Sequence, residues 1–212
     1  MDPGEIQLWT ADLDLEKSTL ETLGQALSPD ELERANRFLR EADRRRFTAA
    51  RGILRRLAAN YLAVGPAELR FSYGAKGKPA LVDGAGLGFS MSHCQGRALY
   101  AFTWGRELGV DLELLREDLD AVGVAERYFN SEEAASLRAM PASDRQREFF
   151  RLWTVKEAYA KALGIGLGVL QAKVHEDPRF RVEEIRLGAD EFAALAYSGE
   201  KADARLFNFA MS

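Results

Sequence analysis

Twice along this chain a run of helical pattern gives way to a run of short extended pattern, and that order constrains the fold more than any other feature. Ser28-Pro29-Asp30-Glu31 supplies an N-cap, a proline at the first helical position and acids in the first turn, so a helix begins there. Arginine-rich helical sequence follows to about residue 62, with a break near Glu41 to Asp43, and Gly65-Pro66 stops it. Extended segments are predicted at 69–73, 87–92, 98–104 and 109–115, with glycine-containing turns between them. Helices return at 122–140 and 145–163, and extended segments at 180–187 and 205–209. Helices first and strands afterwards, in each half, predict an α+β fold of two lobes, 1–105 and 106–212, meeting near residues 104–110.

At 212 residues with 47% hydrophobic residues, the chain can bury a large core. The single cysteine, Cys94, excludes an internal disulfide and a multi-cysteine metal site. The stretch MDPGEIQLWTADLDLEK lacks the basic and apolar regions of a secretory signal, and no apolar run approaches a membrane span. A reducing cytoplasm is the expected compartment, with no membrane partner.

Charge is unevenly distributed. Nine arginines from Arg34 to Arg56 face only Glu41 and Asp43, a window of +7 in a chain of net charge −4, which leaves −11 for the rest. Such a patch meets a polyanion, whether nucleic acid, a phosphorylated small molecule or an acidic protein, or else is a solvated helix face. Nucleic acid is disfavoured by the acidity of the remaining chain and by the lack of an aromatic–basic RNA motif.

Four motifs carry candidate chemistry. In LWTVKEAYAKALGIGLG, Glu157 and Lys161 are four apart and share a helix face, while Lys156 lies about 100° round the helix. Alone, the pair reads as a surface ion pair. Gly164, Gly166 and Gly168 follow a helix, so they are a helix stop and a loop, not a dinucleotide fingerprint. In GVDLELL, Asp111 and Glu113 alternate with Val110, Leu112 and Leu114, so both carboxylates project from one strand face. That face is either simply wet or a hard-cation site to which Glu157 adds a third ligand. In FSMSHCQGRALYAF, His93 and Ser92 stand at a strand end where they can donate to a phosphate. Lys76-Gly77-Lys78-Pro79 places lysines on a stiffened loop within reach of an anion, or forms a plain surface turn.

The succession of Arg-rich helix, G-K-P, F-S-x-S-H, G-V-D-x-E and W-x-x-K-E-A-x-x-K-x-x-G, from about Ser28 to Gly168, resembles the 4′-phosphopantetheinyl transferase superfamily, specifically its Sfp-like single-chain branch. Two positions depart from its usual pattern: Ser90 replaces a frequent asparagine, and Cys94 stands where a small hydroxyl residue is common. The resemblance implies two similar α+β halves related by a pseudo-twofold axis, with coenzyme A in the cleft between them. It implies transfer of the phosphopantetheine arm of coenzyme A to a serine of an acyl, peptidyl or aryl carrier protein, with release of adenosine 3′,5′-bisphosphate, by a monomeric enzyme. Asp111, Glu113 and Glu157 would hold Mg²⁺ on the coenzyme A diphosphate. Arg34, Arg51, Lys78, Ser92 and His93 would contact its phosphates or adenosine, and Lys161 would stabilise charge during transfer.

Such a reaction needs positioning and charge neutralisation more than covalent help from the protein, and Glu157 is the candidate base for the serine proton. Lys156, off the shared face, is expected at the pantetheine arm, the partner or solvent. Two other classes compete: a non-catalytic module that docks acidic carrier proteins, which would not need Asp111, Glu113 and Glu157 together, and an unrelated Mg²⁺-dependent nucleotide enzyme.

Overall fold

The computed structural model describes residues 1–2, 4–74, 76–165 and 177–211. The chain forms two compact units, one of Met1–Tyr73, Pro79–Gly105 and Ala202–Ser212, the other of Gly74–Lys78 and Arg106–Lys201. Both mix helices with mainly antiparallel sheet, an α+β fold. No helix among the described residues is long and apolar enough to cross a membrane.

In the first unit, β1 (Glu5–Asp12) lies inside a four-stranded sheet of order β4-β5-β1-β9, with β4 at Leu87–Cys94, β5 at Arg97–Trp104 and β9 at Asp203–Asn208. A separate hairpin pairs β2 (Arg70–Tyr73) with β3 (Pro79–Val82). The segment from Ala202 onward, expected in the second lobe, belongs here because β9 pairs in parallel with β1. Three helices precede the hairpin: α1 (Lys17–Gly24), α2 (Pro29–Asn36) and α3 (Glu41–Leu62).

On α3, Ala49, Ala50, Ile53, Leu54, Leu57 and Ala58 form the helically spaced apolar stripe that the core requires, and they share a core with Phe89, Tyr100 and Phe102 of the sheet. The Tyr100 hydroxyl donates to the Ala50 carbonyl at 3.0 Å. The helical run breaks at Arg37 to Arg40 instead of at Glu41 to Asp43. Those two acids occupy the first turn of α3, where they complement the helix dipole, so they begin a helix instead of interrupting one. The helix ends before Gly65-Pro66, on Ala63 in the left-handed region at φ 53°.

The second unit has an antiparallel sheet of order β6-β8-β7, built from β6 (Leu108–Leu114), β7 (Phe180–Ile185) and β8 (Glu191–Ser198). The helix expected at 122–140 is two, α4 (Ala121–Tyr128) and α5 (Ser131–Ala139). Asn130 resets it: its Oδ1 accepts the Glu133 N–H at 2.9 Å, and Glu133 Oε2 accepts the Asn130 N–H at 3.2 Å, a reciprocal cap. The long α6 (Ala142–Leu163) packs on β6 and β8 and stops at Gly164, whose φ of 68° suits the left-handed turn. Gly166 and Gly168 lie outside the described residues.

Candidate active site

The site of the second unit is set by how closely α6 approaches β6. A Cβ at Gly109 would stand 2.2 Å from the Ala158 carbonyl oxygen and 2.4 Å from the Ala162 nitrogen, both backbone atoms, so only glycine permits the contact. Asp111 and Glu113 follow Gly109 at intervals of two and face the same helix. The carboxylate face is therefore covered, not wet: Asp111 is only 4% exposed, and Val110 and Leu112 on the opposite face are buried as well.

Lys161 reaches across from α6 and donates to Asp111 Oδ1 at 2.7 Å, an ion pair with the strand. Glu113 stands 3.8 Å from the Arg116 guanidinium, which in turn lies over the Phe150 ring. Glu157 responds to the group as a whole. Burial first, and then the negative charge of Asp111, push its carboxyl up to about 7, with Lys161 opposing and Glu113 adding a smaller push. The structure thus brings Asp111, Glu113, Glu157 and Lys161 into one electrostatic group.

Among the described residues no three His, Cys, Asp or Glu side chains stand grouped as a metal cage. The donor chemistry nevertheless suits a hard divalent cation: three carboxylates supply only oxygen, and the charges of Asp111 and Glu113 both raise Glu157.

Lys156 is buried at 2% exposure, against the expectation of a ligand-facing or solvated lysine. Its ammonium pairs with Glu133 at 2.9 Å and lies over the Phe129 ring at 5.3 Å, which ties α6 to the capped start of α5. Lys78 is likewise engaged, donating to the Leu108 carbonyl at 3.2 Å and to the Ala162 carbonyl, near the C-terminal end of α6, at 3.0 Å. Burial lowers the Lys78 pKa, with Glu107 opposing.

The remaining candidates belong to the first unit. Ser92 and His93 occupy successive positions of β4, across from Leu99 and Ala98, with Ser92 buried and His93 exposed. Arg34 is exposed on α2, its guanidinium 5.3 Å from the Phe47 ring. Arg51 is buried instead: its Nε donates to Glu31 Oε1 at 2.7 Å and its guanidinium lies over Phe71. Arg55 donates to Glu31 Oε2 at 2.6 Å, and the Ser28 N–H donates to that oxygen at 3.0 Å. Two framework roles lie beyond the sequence reading: Glu31 as the buried partner of two arginines, and Gly109 as the point where α6 approaches β6. The pattern of Ser28 followed three residues later by Glu31 is a legible capping signal, and Gly109 opens the G-V-D-x-E motif.

Residues 107–208 match the model of the 4′-phosphopantetheinyl transferase superfamily, and residues 13–101 match that of 4′-phosphopantetheinyl transferase, N-terminal. The chain is 42% identical over 209 residues to the 4′-phosphopantetheinyl transferase HetI of Nostoc sp., covering 92% of this chain and 88% of that one. It is 26% identical over 161 residues to the 4′-phosphopantetheinyl transferase Sfp of Bacillus subtilis, covering 74% and 70% of the two. With both halves matched, and with 42% identity to one relative along nearly its whole length, the chain belongs to the 4′-phosphopantetheinyl transferase superfamily and is an enzyme of the transferase class.

Proposed function

We propose that the protein transfers the 4′-phosphopantetheine arm of coenzyme A to a serine of an apo acyl, peptidyl or aryl carrier protein and releases adenosine 3′,5′-bisphosphate, in the manner of the Sfp-like branch. The observation that carries this reading is the group formed by Asp111, Glu113, Glu157 and Lys161, where a carboxyl held near neutrality adjoins a strand carboxylate paired with a lysine.

In this reading Asp111, Glu113 and Glu157 would hold Mg²⁺, which when bound would neutralise charge on the coenzyme A diphosphate. The serine hydroxyl attacks the phosphorus that carries the pantetheine arm, a new P–O bond forms, and the bond to adenosine bisphosphate breaks. Glu157, a carboxylate beside that cation, takes the hydroxyl proton. Lys161, partly exposed, offers its ammonium to charge that builds up on the leaving group. Arg34, Ser92 and His93 are assigned to the coenzyme A phosphates and adenosine. Arg51 and Lys78, assigned there on sequence grounds, already have their charges engaged within the protein and support the surrounding frame.

The test is direct. The protein is incubated with coenzyme A, Mg²⁺ and a panel of apo carrier proteins, and the carriers are weighed by intact-mass spectrometry. A phosphopantetheine increment that disappears on chelation and returns with Mg²⁺ is expected. No increment on any carrier, the cognate one included, would overturn the reading.

A further inference from the structure

Helix α6 is pinned to β6 at two points, and the three carboxylates lie between them. The first is the close approach of Gly109, at the start of β6, to Ala158 and Ala162. The second lies just beyond the other end of the strand, where the side-chain amide of Gln146 donates to three main-chain carbonyls, those of Arg116 at 2.9 Å, Glu117 at 3.3 Å and Leu119 at 2.7 Å. The helix therefore runs antiparallel to the strand, with Gln146 near Arg116 and Ala158 near Gly109.

Helical spacing puts Gln146 on the same stripe of α6 as the charged group. Gln146, Phe150, Glu157 and Lys161 are separated by four, seven and four residues, so all of them face β6. Phe150 takes the side chain of the residue whose carbonyl Gln146 holds: the Arg116 guanidinium lies 5.5 Å from that ring and 3.8 Å from Glu113. Apolar packing does not fix this end of the helix. A cavity of about 620 Å³ opens beside it, with Leu115, Leu119, Val122, Ala142 and Ser143 in its lining. Burial is non-directional in any case, whereas an amide shared among three carbonyls sets where the helix stands.

At the far end, the Gly109 contact and the Lys161 to Asp111 ion pair keep Glu157 beside Asp111 whether or not Gln146 is present. What depends on Gln146 is the other end of the strand. Without its hydrogen bonds the segment from Arg116 to Leu119 is released, and the part of β6 that bears Glu113 can part from α6. We propose that Gln146 is a positioning residue that keeps Glu113 within reach of a cation shared with Asp111 and Glu157, an inference that rests on the Mg²⁺-dependent transferase reading above.

The probe is Mn²⁺, whose free concentration is read by electron paramagnetic resonance during titration of the protein, alongside thermal melting and the Mg²⁺ dependence of transfer. Gln146→Met keeps the length of the side chain and removes its donors. It should weaken Mn²⁺ binding and raise the KM for Mg²⁺ by about tenfold, the low end of what loss of an outer partner costs a metal site, while kcat at saturating Mg²⁺ stays near that of the wild type. Gln146→Lys again offers N–H donors to the carbonyls and should bind Mn²⁺ more tightly than Gln146→Met despite its added positive charge. Ser143→Ala, an exposed position on the same turn, should match the wild type. A Gln146→Met protein that melts lower yet binds Mn²⁺ as the wild type does would make the amide structural and overturn this inference alone, as would equal losses in Gln146→Met and Gln146→Lys. A wild type that neither binds Mn²⁺ nor modifies any carrier removes the transferase reading and this inference with it.

Discussion

Glu31 and Glu157 are both carboxylates within a unit built on a 22-residue helix, α3 in one case and α6 in the other, and their surroundings push them in opposite directions. Burial would raise Glu31, but the charge of Arg51, the Ser28 N–H and hydrogen bonds from Arg51 and Arg55 outweigh it and hold its pKa below the ordinary value. Burial also raises Glu157, and there the neighbours Asp111 and Glu113 add to the push instead of opposing it. One unit neutralises its buried acid completely, while the other leaves its acid short of positive charge. The first arrangement serves the fold, and the second is what a cation and a proton acceptor require.

The largest test of that contrast is Glu157→Gln, an isosteric change that removes the charge. Single-turnover transfer should fall by about 10²–10⁴-fold while the fold survives, and Lys161→Ala should also lose turnover. A Glu157→Gln enzyme that keeps its rate would reduce the second cluster to a structural one. Glu31→Gln should do the reverse. It leaves two buried guanidiniums short of charge, so denaturant unfolding should show a loss of about 3–5 kcal/mol, with turnover per folded molecule preserved. Gly109→Ala should fall between the two in character, because the added methyl forces α6 off β6 and shifts Lys161 against Asp111. A displacement of that kind can lower turnover by about 10²-fold, and reduced stability should accompany it.

The smallest effects are in the pH dependence, and there the two acids should diverge. Glu31 has a lowered folded pKa, so its stabilisation is complete above the ordinary value of 4.5 and is lost as pH falls through the folded value. The stability deficit of Glu31→Gln should therefore shrink in acid. Glu157 has a raised folded pKa, so in metal-free buffer the wild type loses stability as pH climbs from 4.5 to about 7. Glu157→Gln should melt slightly above wild type at pH 8 and equal it near pH 4.5, and melting curves across that range check both trends.

The legible parts of the fold are those whose signals are local. Ser28-Pro29-Asp30-Glu31 begins α2 as its chemistry dictates, and β4, β5 and β6 follow their predicted segments within a residue or two at each end. β8 was hidden because Ala193 to Tyr197 is buried without interruption, so EFAALAYS lacks the alternation of a half-buried strand and is rich in a helix-forming residue. β1 depends on partners about 90 and 200 residues further on, which no local window contains. In the site, the residue types were readable and their pairings were not. Lys161 has Glu157 four residues away and Asp111 fifty residues away, and only the approach of α6 at Gly109 selects the distant one. A run of arginines looks like surface until Glu31, twenty residues from Arg51, draws two of them inside.

The parallel pairing of β1 with β9, six residues in register from Glu5 with Asp203 to Thr10 with Asn208, has a mechanical meaning. Tension applied ahead of Glu5 and beyond Asn208 drags these neighbouring strands past one another along their length. Their hydrogen bonds are then loaded in shear and must give way together, whereas an antiparallel pair pulled from one end unzips bond by bond. The stacked rings of Trp9 and Phe207, 4.9 Å apart, resist the same sliding. The second unit lies between these strands in sequence, so an outward pull is carried across the clamp and reaches the helix bearing Glu157 only after the clamp has ruptured.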